Sequence, residues 1–190
     1  PGGVVVAREC AHGRMPTGGG VARWRCGDPG AREAPRASVA TGHLSVYVIL
    51  GLPGRRLLSG NDDGTLEIRN PDLGPPVAAV QTGHGSLYAA ALLPRDRVAL
   101  GSGDGWIQVR DLNDLRKPIE GFPTGHDAID ALAALPGGLL AVGSDDGWLQ
   151  TFDPAKPSNP VAPANTGHAA GHGQGTPTAL YSIQPVPGGR

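Results

Sequence analysis

The sequence predicts an all-β fold made of similar four-stranded units. The tripeptide Thr-Gly-His occurs four times, and its threonines follow one another at intervals of 41, 42 and 42 residues, at Thr41, Thr82, Thr124 and Thr166. Each of the first three copies precedes an apolar run, a turn marked by Pro or Gly, a second apolar run, and an Asp-Gly pair that opens a strand of alternating character. A repeat of about 40–45 residues with this content is typical of the blade of a β-propeller.

The first complete unit, residues 41–81, shows the order of strands and turns. Apolar runs at 45–50 and 56–60 flank a turn at Leu-Pro-Gly, and Asn61-Asp62-Asp63-Gly64 predicts a hairpin because Asp-Gly readily supplies the positive φ of tight turns. Residues 65–69 alternate apolar and polar side chains with a period of two, which indicates a strand with unlike faces. A fourth strand is predicted over 77–80.

The units at 82–123 and 124–165 repeat this order. Their hairpin turns are Asp104-Gly105 and Asp146-Gly147, and each is followed by a strand that begins with tryptophan. The last strand of the 124–165 unit is predicted near 159–164, where prolines suit an exposed edge.

The two ends of the chain carry incomplete units. Residues 1–40 predict a partial N-terminal blade, because 20–25 resembles the third strand of the later units, and residues 166–190 predict the start of a closing blade. The two ends are expected to share one blade, which would close a single-domain propeller of about four blades with four-stranded antiparallel sheets and remove free sheet edges. The alternatives are a partial arc of a larger propeller and a homodimer that completes an eight-bladed one. A start at Pro1 fits a fragment or a processed chain.

Composition and charge narrow the class of partner. The 31 glycines and 19 prolines fit many turns, and a net charge of −1 gives no footprint for nucleic acid or an anionic membrane. No apolar run approaches the length of a membrane span, and no signal peptide is recognisable. Cys10 and Cys26 are expected to be free thiols, so an intracellular (cytoplasmic or nuclear) location is predicted. Basic residues cluster locally before residue 40, at Arg14, Arg23, Arg25, Arg32 and Arg36.

Residues 41–165 resemble the WD-repeat β-propeller family. The features that carry the resemblance are Gly-His near the start of each unit, Asp-Gly in the hairpin turn, and a third strand that ends in Asp. In that family the His and the turn Asp form a hydrogen bond within each blade. The resemblance therefore implies three structural pairs, and it leaves His168 without an Asp at the corresponding position near Gly19. The implied pairs are His43 with Asp63, His84 with Asp104, and His126 with Asp146.

The chain also departs from the family pattern. Arg69, Arg110 and Phe152 stand where the family usually has Trp, and only Ser59 matches the Ser or Thr often found in the second strand, where Leu100 and Val142 stand in the later units. The longer relay from Trp through Ser and His to Asp is thus expected to be absent, and only its His–Asp half is expected to remain.

Four residues are candidates for contact with a partner. Trp106 and Trp148 either pack between blades or act as partly exposed aromatic anchors of the kind that dominate binding hot spots. Arg95 and Asp127, together with Asp130, are candidates for a polar rim. His168 and His172 could share a metal ion, but a Gly-rich loop without Cys or carboxylate neighbours argues against it, so no metal and no cofactor are predicted.

The resemblance implies a non-catalytic scaffold that binds protein or peptide partners. His–Asp pairs near Ser or Thr can suggest hydrolysis, but pairs that recur with the repeat are typical of a structural element rather than of a single active site. Two alternatives remain open. One is a propeller that binds a small ligand or acts as an enzyme through a central pocket, and the other is contact with an anion or nucleic acid through the N-terminal arginines.

Overall fold

The computed structural model describes residues 23–26, 37–156 and 162–165, and the side chains of 37–156. The predicted all-β architecture of four-stranded antiparallel sheets is confirmed. The strands are β1 (Arg23–Cys26), β2 (Ala37–Ala40), β3 (Val46–Leu52), β4 (Arg56–Asn61), β5 (Thr65–Arg69), β6 (Ala78–Gln81), β7 (Leu87–Leu93), β8 (Arg97–Ser102), β9 (Trp106–Asp111), β10 (Asp114–Pro123), β11 (Ile129–Ala134), β12 (Leu140–Ser144), β13 (Trp148–Phe152) and β14 (Ala162–Asn165).

Three sheets follow one another along the chain as simple meanders. Their strand orders are β3-β4-β5-β6, β7-β8-β9-β10 and β11-β12-β13-β14, and β1 pairs with β2 in a two-stranded sheet before them. The turns between first and second strands are short 3-10 turns at Pro53–Arg55 and Pro136–Gly138, as the Pro-Gly signals predict. The first strands β3, β7 and β11 pack against one another in sequence, which gives the propeller-like arrangement.

The core lies between neighbouring sheets, and strand alternation decides which side chain enters which layer. In β8, Val98 and Leu100 enter the layer shared with the first sheet, whereas Ala99 enters the layer shared with the third. Leu58, Leu66 and Leu100 are at most 1% exposed. The second sheet therefore has two buried faces, unlike a sheet with one solvated face, and its first two strands are nearly continuous apolar runs.

Gly60 and Gly101 permit this close stacking near the ends of the second strands. A Cβ at Gly101 would lie 2.5 Å from Cγ2 of Ile129 at the start of β11, and one at Gly60 would lie 3.0 Å from Cβ of Leu87 at the start of β7. The small residue at this point of the repeat lets the first strand of the next sheet approach.

Several predictions fall outside the described residues. They are the shared closing blade, the fourth triplet with His168, the pair His168 and His172, and Cys10. The arginines Arg23 and Arg25 lie on β1 and Cys26 ends it, but their side chains lie outside the described part. In the part of the chain that the structure describes, no helix has the length and apolar character needed to cross a membrane.

Candidate functional site

The Thr-Gly-His triplets that begin at Thr82 and Thr124 each link two successive sheets. Thr82 donates through its Oγ1 to the carbonyl of Gly64 in the β4–β5 turn of the preceding sheet, at 2.9 Å. Two residues later, His84 places its Nδ1 2.7 Å from Oδ2 of Asp104 in the β8–β9 turn of the following sheet. The intervening Gly83 has φ of +83°, a conformation that glycine adopts without steric cost. The triplet is therefore a connection between sheets as well as a mark of the repeat.

The three expected His–Asp pairs are in contact. The distances from Nδ1 to the turn carboxylate are 3.0 Å for His43 and Asp63, 2.7 Å for His84 and Asp104, and 2.7 Å for His126 and Asp146. The imidazole side chains are 14–17% exposed, whereas the carboxylates are 46%, 44% and 23% exposed. The rings are therefore nearly buried, and the carboxylates face the solvent at one end of the sheets.

The pKa values of the three turn aspartates lie below their ordinary value. Partial burial raises the pKa of Asp104, but hydrogen bonds from Ser102 and His84 and the charge interaction with His84 outweigh it. The same balance lowers the pKa of Asp63 and Asp146, with Thr65 N–H as the main donor to Asp63 and Ser144 as the main donor to Asp146. A folded-state pKa below the unfolded one means that these contacts stabilise the fold at neutral pH and lose this effect as pH falls through the folded values.

In two of the three sheets the third strand supplies a partner for the other ring nitrogen of the histidine, and this partner is not the Ser or Trp of the family's relay. Gln150 donates from Nε2 to Nε2 of His126 at 2.8 Å, which leaves Nδ1 to carry the proton donated to Asp146. Glu67 occupies the corresponding place in the first sheet, with Oε1 3.5 Å from Nε2 of His43.

The residues that stand in place of the family's Trp belong to the same network in two sheets. Arg69 donates from Nε and Nη2 to Oε2 of Glu67 at 3.1 and 2.9 Å, and both side chains are at most 10% exposed. Arg110 makes the equivalent contacts with Oε1 of Gln108 at 3.0 and 2.9 Å. A signal for this was present in the sequence: Glu-x-Arg and Gln-x-Arg place two polar side chains on one face of a strand.

Serine also enters the network, from a position other than the one expected. Ser102 donates through Oγ to Oδ1 of Asp104 at 2.5 Å, and Ser144 donates to Asp146 in the same way. Both serines end the second strand, two residues after Leu100 and Val142. The first sheet has Asn61 there, whose Nδ2 instead donates to the carbonyl of Thr65 at 3.0 Å.

The two tryptophans cover the histidine rings. Trp106 stacks on His84 with ring centroids 4.8 Å apart, and Trp148 packs on His126 at 5.0 Å. Each tryptophan thus shields the imidazole of its own sheet and remains partly exposed itself.

The structure separates the two residues expected to form one polar rim. Arg95 lies in the β7–β8 turn with φ of +63°, whereas Asp127 precedes β11 at the opposite end of the sheets, beside the β8–β9 turn. The prediction of one polar rim that contains both residues is therefore wrong. Asp130 lies at the same end as Asp127.

One group of side chains among the described residues has ligand atoms close enough for a metal ion. It consists of His43, Asp62 and Asp63, whose ligand atoms lie within 4.8 Å of one another. His43 and Asp63 already form the pair that recurs in the other two sheets, and Gly103 stands in the place of Asp62 in the second sheet. We therefore assign His43 and Asp63 to the structural network.

Replacing His84 by alanine is expected to lower the free energy of unfolding by about 2 kcal/mol, because the hydrogen bond to Asp104 and the stacking against Trp106 are both lost. A double-mutant cycle with Asp104→Asn, followed by urea unfolding, isolates the pair. We expect a coupling energy of about 1 kcal/mol, since solvent weakens the contact at the half-exposed carboxylate. Additive effects of the two substitutions would contradict the pairing.

The fold and the repeated turns define an all-β protein of propeller-like build. Among solved structures, Sqt1 from Chaetomium thermophilum, a WD40 protein, is similar with a TM-score of 0.62 and 19% sequence identity, over 79% of this chain and 41% of that chain. This likeness supports the fold of a WD-repeat propeller, and the matched region spans less than half of the length of Sqt1. No family model and no curated protein sequence matches the chain.

Proposed function

We propose that this chain is a non-catalytic interaction module that binds a protein or peptide segment at the end of its sheets where the triplets lie. The observation that carries the proposal is that the same backbone arrangement recurs in three sheets while the side chains that it presents differ. Three successive sheets hold the same His–Asp turns, yet equivalent positions beside them carry different residues. Leu44, Gly85 and Asp127 follow the three histidines, and Tyr47, Tyr88 and Asp130 are the second residues of β3, β7 and β11.

A recurring backbone arrangement with variable side chains favours binding of a partner over catalysis. The imidazoles, the residues best fitted to act as bases near neutral pH, are engaged with a turn carboxylate and covered by a strand side chain. Rigid elements that present variable side chains are the usual basis of binding surfaces in repeat proteins.

A display library of random dodecamer peptides tests the proposal. We expect the folded full chain to enrich a set of related peptides, whereas the same chain held in 8 M urea enriches none of them. Synthetic copies of enriched peptides should bind with a Kd on the order of micromolar, the range expected for one short segment on one surface. Failure of the folded chain to enrich any peptide would contradict an interaction role.

A further inference from the structure

The end of the sheets that carries the triplets, here called the acidic end, has a strongly one-sided charge. Its segments are 41–47, 59–65, 82–88, 101–106, 124–130 and 143–148, and they contain aspartates but no Lys, Arg or Glu. The aspartates are Asp62, Asp63, Asp104, Asp127, Asp130, Asp145 and Asp146. The opposite end carries charges of both signs: Arg55, Arg56, Arg95 and Arg97 lie around the first turns of two sheets, and Asp72, Asp96, Asp111 and Asp114 lie at the same end.

Four of these carboxylates have no cationic or histidine partner within the described part of the chain: Asp62, Asp127, Asp130 and Asp145. Oδ1 of Asp62 is buried without a hydrogen-bond partner among the described residues. Burial and the charge of Asp145 raise the pKa of Asp130 to about 6. Carboxylates that repel one another and lack donors are stabilised by an incoming cation.

A partly exposed aromatic pair lies at the same end of the sheets. Tyr47 is 51% exposed, and its ring meets that of Tyr88 edge to face, with centroids 4.9 Å apart and an angle of 79° between planes. Gly103 provides room for Tyr88, since a Cβ there would lie 3.0 Å from its Cε2. Leu44, 69% exposed, adds an apolar side chain three residues before Tyr47.

Backbone bulges orient this group. The pairing of first and second strands skips one residue in each sheet, between Val46 and Val48, between Leu87 and Ala89, and between Ile129 and Ala131. The skipped residues are Tyr47, Tyr88 and Asp130. A bulge directs its extra side chain away from the regular alternation, and bulges are frequent at binding sites. The same irregularity thus presents two tyrosines and an aspartate in successive sheets.

We propose that the acidic end binds a basic peptide segment of a partner protein, with one Lys or Arg side chain held over the ring of Tyr47 on the side of Asp62 and a second cationic side chain beside Asp130. A cation over an aromatic face is attracted by the negative charge of the ring, and carboxylates at the rim complete its neutralisation. The inference deepens the proposed function and rests on it. An acidic surface repels nucleic acid and anionic membranes, so it selects a cationic protein segment.

The peptides enriched by the folded chain test this inference. They should contain Arg or Lys, and copies with Gln in place of these residues should bind at least about tenfold more weakly, with a similar loss in high salt. Tyr47→Ala should weaken binding about tenfold, whereas Tyr47→Phe, which keeps the ring, should stay within about twofold. Asp130→Asn should weaken binding about fivefold. Arg95→Ala, at the opposite end, should leave the Kd unchanged.

Stability of the variants separates loss of a contact from loss of the fold. The folded-state pKa of Asp130, about 6, lies above the unfolded value, so its carboxylate lowers stability as pH rises from about 4 to above 6. Asp130→Asn should therefore raise Tm at pH 7.5 and leave it unchanged at pH 4. Weaker peptide binding by this more stable variant can only reflect the lost charge.

The outcomes distinguish the two proposals. No enriched peptides would contradict the interaction role itself. Enriched peptides that are neutral or acidic, or that bind Tyr47→Ala and Asp130→Asn like the wild type, would overturn the basic-segment inference and leave the interaction role standing. Self-association in analytical ultracentrifugation that Arg95→Ala and Asp130→Asn both abolish would assign the acidic end to a contact with the opposite end of a second copy and would also overturn it.

Discussion

Replacing Gly105 by alanine is expected to lower the free energy of unfolding by about 3–4 kcal/mol, because two costs act together. Gly105 has φ of +77° in the β8–β9 turn, and a Cβ there would lie 2.2 Å from the carbonyl oxygen of His126. That oxygen belongs to the backbone of the next triplet, so no side-chain rotation relieves the contact. Urea unfolding monitored by tryptophan fluorescence measures the effect.

The chain offers a matched control for the backbone conformation. Gly125 has φ of +81°, and a Cβ there would have no neighbour within 4 Å. Gly125→Ala should therefore cost about 1 kcal/mol, the strain of a left-handed residue alone. Equal losses for Gly105→Ala and Gly125→Ala would mean that the sheets do not meet as closely as the structure places them.

Removing the side chain of Glu67 is expected to cost about 3 kcal/mol, because Glu67→Ala leaves Arg69 as a nearly buried cation without its carboxylate. Arg69 keeps its bond from Nη1 to the carbonyl of Gly74, 2.7 Å away, which places the loss at the lower end of the range for a broken buried pair. His43 also loses the contact on its second ring nitrogen.

The second and third sheets show which replacement should be tolerated. Gln108 accepts hydrogen bonds from Arg110, and Gln150 donates one to His126. Glu67→Gln supplies both of these functions in the first sheet, so its cost should stay below about 1 kcal/mol. A Glu67→Gln variant as unstable as Glu67→Ala, again by urea unfolding, would show that charge rather than hydrogen bonding holds the network.

The network also shows which residues stand in the first and second sheets in place of the Trp that usually ends the third strand of a WD repeat. Polar side chains at alternate positions of the third strand hydrogen-bond to the histidine or to one another. Ser102 and Ser144, at the end of the second strand, donate hydroxyl hydrogen bonds to the Asp of the hairpin turn. Trp106 and Trp148 then cover the rings from the start of the same strand. The strand residues that contact the histidine thus differ from sheet to sheet, while its contact with the turn carboxylate is the same in all three sheets.

The features that the sequence predicted correctly depend on neighbours along the chain. The spacing of the triplets and the alternation of apolar residues predicted the strands, because side-chain direction in a strand follows a period of two. Asp-Gly predicted the hairpins, because it suits backbone conformations with positive φ.

The features that only the tertiary structure decided depend on how sheets stack. Tyr47 and Tyr88 stand 41 positions apart and meet because β3 packs on β7, and their bulges appear only once strand register is known. Arg95 and Asp127 were expected together, yet the path of the strands places them at opposite ends. Contacts between sheets depend on rotamers and on the close approach that Gly60 and Gly101 allow, and the position of these glycines in the repeat does not reveal which side chains they face. The sequence alone therefore determined the repeat and its turns, and the stacking of the sheets determined the surface that they present.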